Sequence, residues 1–559
     1  MPPRNSLRKH DTNSESRATK ARRNRQTVQI RKDKRNRNIE EKRRRINIPS
    51  DDTSALPSSR DITEITEILA TSTAKDCTKQ HQIQFGALKE LRYRLSVCEQ
   101  AHNYAQVDRI CESGIVPVLV EILESASPLA AATRRGEEVY KEILWCLANI
   151  ASGQYEETKL VLPAIPRILE LLQNGSAIVA EHAAFVIGNI AADCEEFRQA
   201  LIAQGAIHPL LVQAEAIPTD KQLSTSCAWA LSNLARGPNI SAIPFLEAGV
   251  LQTVTRGLTR NPSSFTEDTL VELLWLLSFL TSREDLILAE FIKQPVMELL
   301  LPYFGTPNEL VLTPILRIIG NICCGAKDQQ VHQEIVQFVH HLVLQSNSVL
   351  LTKILEFLQP ENEAKHISLA AESAWVVSNL ATLDLEMVQK LIQHAFIAVL
   401  IQQFRNGNSE LRREVSFALT NIALTSPEHL GLVLARGDDL LKHFLELLKM
   451  NETGVVGNSL RFIEYVLRFA PNGVLLVESL NGIEALENVQ FRQDEAHLSE
   501  WAASLVDTYY GENYGVHSPQ QNDRDGNSSD QMMCEDDSSN TTFVGRGRGA
   551  QMTLPAWKQ

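Results

Sequence analysis

Trp145-Cys146-Leu147-Ala148-Asn149-Ile150-Ala151-Ser152-Gly153 is the stretch that decides the fold. Its apolar residues fall at helical spacing, and its Trp and Asn stand four positions apart. In a helix those two side chains share one face, one above the other. The pair returns as Phe185/Asn189, Trp229/Asn233, Trp375/Asn379 and Phe417/Asn421, with separations of 40, 44, 146 and 42 residues. The longest interval holds two more repeats of the same context, with Trp275/Phe279 and Arg317/Asn321 in the pair positions. Asn is a poor helix-interior residue, so its recurrence in register calls for a reason beyond local propensity.

A helix-rich period of about 40–47 residues marks armadillo or HEAT repeats. The connecting phrases fit that pattern. Glu112-Ser113-Gly114-Ile115-Val116, Ala203-Gln204-Gly205-Ala206-Ile207 and Glu247-Ala248-Gly249-Val250-Leu251 each open an apolar helix. Gly there permits a sharp turn between helices. The runs from Leu119 to Leu123, Ile168 to Leu172 and Leu441 to Leu448 place Leu and Ile at helical spacing, which is core packing between stacked helices. No segment reads as a sheet. The expected fold is all-α.

The net charge of −14 hides two opposite parts. Residues 1–50 carry 17 Lys/Arg against 5 Asp/Glu, a charge of +12. The other 509 residues carry 37 against 63, a charge of −26. A basic arm is thus tethered to an acidic body. Charge attraction is screened beyond roughly 8–10 Å at physiological salt, so arm and body interact only in contact. The nine Cys have no metal-ligand spacing, and Cys146, Cys194 and Cys227 sit on apolar faces. They read as reduced structural thiols of an intracellular protein. No signal peptide, membrane span or cofactor site is legible.

Four regions follow. Residues 1–47 form the basic arm, which holds Arg31, Lys32, Lys34 and Arg35 and ends in Lys42-Arg43-Arg44-Arg45. Residues 48–79, with Pro49 and Pro57, read as a linker. Repeats span 80–512. Residues 513–559 read as a disordered tail rich in Ser, Asn, Asp and Gln, with Gly545-Arg546-Gly547-Arg548-Gly549 near its end.

A row of aromatic–Asn pairs suits an extended peptide. Stacked helices lie roughly 10 Å apart, about the span of three extended residues. Each Asn can clamp a peptide's backbone N–H and C=O without reading its sequence. The aromatic faces make slots for long aliphatic stems that end in cations. Nearby carboxylates then favour Lys or Arg, the candidates being Glu142, Glu181, Asp193, Glu272 and Glu414.

The chain resembles the importin-α (karyopherin-α) family over about residues 20–512, as a somewhat divergent member. The resemblance rests on the Trp145–Gly153 stretch, on Gly188-Asn189-Ile190-Ala191-Ala192-Asp193 and on Thr313-Pro314-Ile315-Leu316-Arg317-Ile318-Ile319-Gly320-Asn321-Ile322. Val28-Gln29-Ile30-Arg31-Lys32-Asp33-Lys34-Arg35 resembles the family's importin-β-binding segment, and Asp494-Glu495-Ala496 through Thr508-Tyr509-Tyr510 its last repeat. The resemblance implies an armadillo-repeat α-solenoid, a right-handed superhelix of about ten repeats. It implies a nuclear import adaptor, not an enzyme and without cofactor, that carries proteins bearing basic nuclear localisation signals and links them to importin-β. It implies shuttling between cytoplasm and nucleus, recycling by an export receptor and contact with nuclear pore proteins.

By the same resemblance, a major cargo groove would use Trp145, Asn149, Phe185, Asn189, Trp229, Asn233 and Glu272. Its lysine pocket would comprise Gly153, Thr158 and Asp193. An ammonium has three donors and no acceptor, so a carboxylate with two neutral oxygens satisfies it. A minor groove would use Arg317, Asn321, Trp375, Asn379, Glu414, Phe417 and Asn421. Lys42, Arg43, Arg44 and Arg45 would mimic cargo and inhibit the groove until importin-β takes the arm. Phe185 and Phe417 stand where the family usually has Trp. The 58-residue interval from Arg317 to Trp375 implies a loop or extra helix of about 12–18 residues near 337–370. Two other readings fit less of the chain. One is an armadillo scaffold with specialised or lost cargo binding. The other is nucleic-acid binding through the arm, which leaves the Asn row unexplained.

Overall fold

The computed structural model describes residues 60–511, apart from 72–77, 101–103, 126–133, 216–220, 238, 261–264, 327, 346–348, 364–366, 438 and 493–494. Every regular element among the described residues is a helix. They fall into two compact units, one ending at Phe357 and the other beginning at Leu358.

Each unit is built from armadillo repeats of two short helices and one long one. Tyr155–Val161, Ile165–Asn174 and Ala177–Asp193 make one such repeat. A capping box between Gln154 and Glu157 opens its first helix. Ser176 caps the third, its hydroxyl accepting from Val179 N at 3.4 Å. The long helix buries Val179, Ala180, Ala183, Ala184, Val186, Ile187, Ile190 and Ala191. Its many small side chains let neighbouring backbones approach closely. The long helices of the first unit are Thr78–Gln100, Arg134–Ile150, Ala177–Asp193, Lys221–Leu234, Glu267–Leu280 and Glu309–Cys323. Those of the second are Ile367–Leu380, Ser409–Ala423, Thr453–Phe469 and Ala496–Tyr510. Within each unit every long helix packs on the next. This row positions the aromatic–Asn pairs.

The turn phrases behave as their glycines predict. Gly114, Gly205 and Gly249 have φ of 78°, 80° and 82°. In the second unit Ala395 and Asn481 fill the same place, with φ of 62° and 57°.

One feature differs from the sequence reading, and another takes one of the two forms expected of it. Helix Ile62–Ala70 lies inside the stretch read as a linker. Asp61 caps it, accepting from Ile62 N at 2.7 Å. Ile65 and Leu69 are fully buried, and the helix packs on Thr78–Gln100 and Ile115–Ser125. The Pro and Ser residues that mark a linker end at Ser59, and Ile62, Ile65 and Leu69 then give one apolar face. The added length near 337–370 is mainly helical. Gln329–Gln345 has 17 residues, where the matching Tyr155–Val161 has 7 and Glu195–Ala203 has 9. In the second unit the one-turn helix Pro360–Glu363 precedes Ile367–Leu380.

Candidate functional site

The Asn residues of the row bond to neighbouring helices in a regular way. Asn189 Nδ2 donates to Ala148 O at 2.8 Å, and Asn233 Nδ2 to Gly188 O at 3.1 Å. Asn321 Nδ2 donates to Ser278 O at 2.8 Å, and Asn421 Nδ2 to Ser378 O at 2.8 Å. Each acceptor lies one residue before the pair position in the preceding long helix. The amides therefore fix the register of adjacent repeats. Asn233 is fully buried, and Asn189, Asn321, Asn379 and Asn421 nearly so. At least one donor of each bonded amide is engaged before any ligand arrives. Asn149 is only partly buried and donates to Ser96 Oγ at 3.1 Å.

Among the aromatics, Trp229 is 4% exposed and lies flat on Gly188. A Cβ at residue 188 would come within 2.1 Å of Trp229 Cζ3, so only glycine admits the ring. Phe185 also packs on Trp229, with centroids 5.2 Å apart and planes at 37°. Trp145 is partly exposed and meets His182 at 5.5 Å. The Arg92 guanidinium lies 4.6 Å from the Trp145 ring centroid. Trp275 carries the Arg317 guanidinium at 5.7 Å in the same manner.

Thr158 and Asp193, two of the residues expected in a lysine pocket, lie in hydrogen-bond contact. Thr158 is fully buried, and its Oγ1 lies 2.9 Å from Asp193 Oδ2, 3.0 Å from Gln154 O and 3.3 Å from Ala151 O. Gly153 occupies the turn between the last two of these residues, and its N donates to Ile150 O at 2.9 Å. Asp193 is the last residue of Ala177–Asp193, and Gly153 follows the end of Arg134–Ile150. Two helix C-termini thus add their partial negative charge to a carboxylate. The chemistry favours a cation. Glu157, the neighbour of Thr158, is held above the usual carboxyl range by burial first and then by a hydrogen bond with Asp108.

The other carboxylates are more committed than their sequence positions predict. Glu142 is 4% exposed and pairs with Arg92 at 2.7 Å. Glu272 is 9% exposed and accepts from Ser232 Oγ at 2.8 Å. Glu414 is 6% exposed and pairs with Arg413 at 3.3 Å. Burial demands such partners, because an isolated buried carboxylate is costly. These three are buried beside a partner, whereas Asp193 is partly exposed.

The expected minor-groove residues divide between the units. Arg317 and Asn321 belong to the first, and Trp375, Asn379, Glu414, Phe417 and Asn421 to the second. Within the second unit, Trp375 is partly exposed and Phe417 is 8% exposed. Arg31, Lys32, Lys34, Arg35, Lys42, Arg43, Arg44 and Arg45 lie outside the described residues. Among the described residues no cluster of three His, Cys, Asp or Glu has metal-site geometry, and no helix is long and apolar enough to cross a membrane. Burial pushes the thiols of Cys146, Cys227 and Cys323 well up, which suits structural cysteines.

Sequence reasoning missed one rung. Asn458 Nδ2 reaches Ser416 Oγ at 3.3 Å and Thr420 Oγ1 at 3.2 Å. Gly454 stands four residues before it, so the aromatic half of the signal is absent. The Arg92–Glu142 pair was also hidden, since its members are 50 residues apart.

No family model matches the chain. Importin subunit alpha-9 of Arabidopsis thaliana is 33% identical over 447 residues, covering 77% of this chain and 80% of that protein. Importin subunit alpha-2 of Oryza sativa subsp. japonica is 30% identical over 446 residues, covering 77% and 79%. Among solved structures, the crystal structure of an engineered protein aligns with a TM-score of 0.63. It is 21% identical and covers 80% of this chain and 98% of its own, a likeness of fold alone. Two relatives at 30–33% identity, matched across three quarters of the sequence, make this chain a member of the importin-α family.

Proposed function

We propose that this protein is a nuclear import adaptor whose first unit binds basic localisation-signal peptides along the Trp145–Asn233 row. The single observation that carries this reading is the meeting of Thr158 and Asp193 at 2.9 Å beside two helix C-termini. A lysine ammonium entering there replaces the Thr158 hydroxyl as donor to Asp193 and adds the Gly153 carbonyl as a third oxygen. The backbone of the peptide runs along the row, with Asn149 the amide most open to it. Trp375, Asn379, Phe417 and Asn421 offer a second row, within the second unit, to another basic stretch. The arm at residues 1–47 links the complex to importin-β, and Lys42 to Arg45 compete with cargo while it is unbound. The protein thereby moves between cytoplasm and nucleus, recycled by an export receptor.

The test is titration calorimetry with a Lys-rich signal peptide. Asp193→Lys places a cation where the peptide's own should sit. By analogy with broken buried charge pairs, the loss is on the order of 2–5 kcal/mol. Helicity by circular dichroism should be unchanged, since Asp193 is partly exposed at a helix end. Equal affinity of variant and parent would reject the pocket.

A further inference from the structure

The turns after Arg134–Ile150 and Ala177–Asp193 are built alike but filled differently. Thr158 and Arg198 are each the fourth residue of the short helix that follows. Thr158 Oγ1 lies 3.3 Å from Ala151 O, seven residues back. Arg198 Nη1 donates at 2.8 Å to Ala191 O, again seven residues back. A hydroxyl in one repeat is thus exchanged for a guanidinium in the next. Two more arginines join it. Arg236 Nη2 donates to Ala192 O, and Arg283 Nη2 reaches Ala235 O at 3.5 Å. Arg198 rests on the turn that carries Arg236: a Cβ at Gly237, where φ is 108°, would lie 3.3 Å from Arg198 Nη2.

Capping of helix C-termini accounts for part of this cluster. It does not use up the donors. Arg198 is 7% exposed, and its Nε is buried with no hydrogen-bond partner among the described residues. Arg283 Nε is in the same state. Neither arginine forms an ion pair among the described residues. Glu195 and Glu284 act on them only through space, because they serve other donors. Glu195 accepts from Asn239 Nδ2 at 2.9 Å and Glu284 from Ala242 N at 3.1 Å. Burial first holds both guanidiniums below the usual arginine range, Arg283 at about 10, and Arg198 lowers Arg283 further. Buried charges that lack a paired counter-ion are costly, and a ligand of opposite sign relieves the cost.

We propose that Arg198, Arg236 and Arg283 form a binding site for an oxyanion, a carboxylate or phosphate group carried by the bound peptide, one repeat away from the lysine pocket. The inference rests on the proposed peptide-binding groove and adds to it an anchor of opposite charge. A guanidinium binds such oxygens bidentately through its planar fork of donors, and Nε belongs to that fork. Adjacent repeats lie roughly 10 Å apart, the span of about three extended residues. The peptide that fits carries Asp, Glu or a phosphorylated Ser or Thr about three positions from its pocket lysine.

The test is fluorescence anisotropy with the full chain and labelled peptides that share one Lys-rich core. Ser, Asp or phosphoserine is placed in turn at each flanking position. Phosphoserine at one position should tighten binding on the order of tenfold over Ser, and Asp by less. Inorganic phosphate, set against chloride at equal ionic strength, should erase that gain and leave the Ser peptide unchanged. In Arg283→Gln the gain should fall to about twofold or less while the Ser peptide binds as before. Arg283→Lys, which keeps the charge but not the fork, should restore part of it. Arg283 is partly exposed, so both variants should keep their helicity, and the phosphate competition needs no variant. No gain at any position, or a gain that survives in Arg283→Gln, would leave the three arginines as helix caps. Equal gains at every position would assign the attraction to the basic arm at residues 1–47 and overturn the site. Should Asp193→Lys leave the Ser peptide unaffected, the groove reading fails and this inference falls with it.

Discussion

Replacing Asn233 by Ala tests the amide row in its most buried member. Asn233 is 0% exposed, and its Nδ2 reaches Gly188 O at 3.1 Å across to the preceding long helix. The substitution removes one amide and the bond it makes between two helices, while Gly188 O keeps its place in the ladder of its own helix. The net loss of such a bond is about 0.5–1.5 kcal/mol. The vacated volume adds a cavity cost at a site where Trp229 and Gly188 pack too closely to collapse further, so the sum is about 2–4 kcal/mol. Asn149→Ala is the matched control. That amide is partly exposed and bonds a hydroxyl, so its loss should be about 0.5–1 kcal/mol. Urea denaturation followed by circular dichroism gives the two midpoints. Repeat arrays unfold through neighbour-coupled steps, so native-state hydrogen exchange is needed to localise the effect. Exchange should accelerate in Ala177–Asp193 and Lys221–Leu234 together. Equal destabilisation by the two variants, or acceleration confined to one helix, would refute the register role of the amide.

Three further outcomes are expected. Ala395→Gly should stabilise the second unit by about 0.5–1 kcal/mol, because φ is 62° there and strain relief outweighs the added freedom of the unfolded chain; an unchanged or lower urea midpoint would contradict this. His182 is depressed to about 4 from 6.5, so the unfolded chain takes up its proton first; the His182 contribution to stability is complete above pH 6.5 and falls as pH drops toward 4. The loss should be on the order of 1–3 kcal/mol, and a stability profile as steep in His182→Gln would exclude this ring as the cause. Deleting residues 1–50 should raise affinity for a Lys-rich peptide several-fold and abolish importin-β binding, because a tethered ligand acts at roughly millimolar effective concentration. Equal affinities of full-length and shortened chains at physiological salt would show that the arm does not compete.

The repeat architecture was legible because it is written locally. An aromatic and an Asn four residues apart, a Gly turn before several second helices, and a period near 42 residues all sit within short windows. The added length between Arg317 and Trp375 was legible as a number of residues. Its form, a first helix of 17 residues, follows from apolar positions such as Ile335, Val339 and Leu342 that continue one buried face. What was not legible depends on contacts between repeats. Glu142 and Glu272 look like groove carboxylates in sequence, yet their partners Arg92 and Ser232 come from the preceding long helices. The Asn residues look free to clamp a ligand, yet most are buried and bonded to the helix before them. Helix Ile62–Ala70 was passed over because nine residues beside a Pro- and Ser-rich stretch give a weak periodic signal.

The most direct measurement is the structure of this protein crystallised with a Lys-rich signal peptide. The account predicts one peptide ammonium within hydrogen-bond distance, about 2.7–3.2 Å, of Asp193 and Thr158, with the peptide backbone passing Asn149. A peptide bound away from Asp193, or none bound along this row at concentrations that saturate binding in solution, would contradict it.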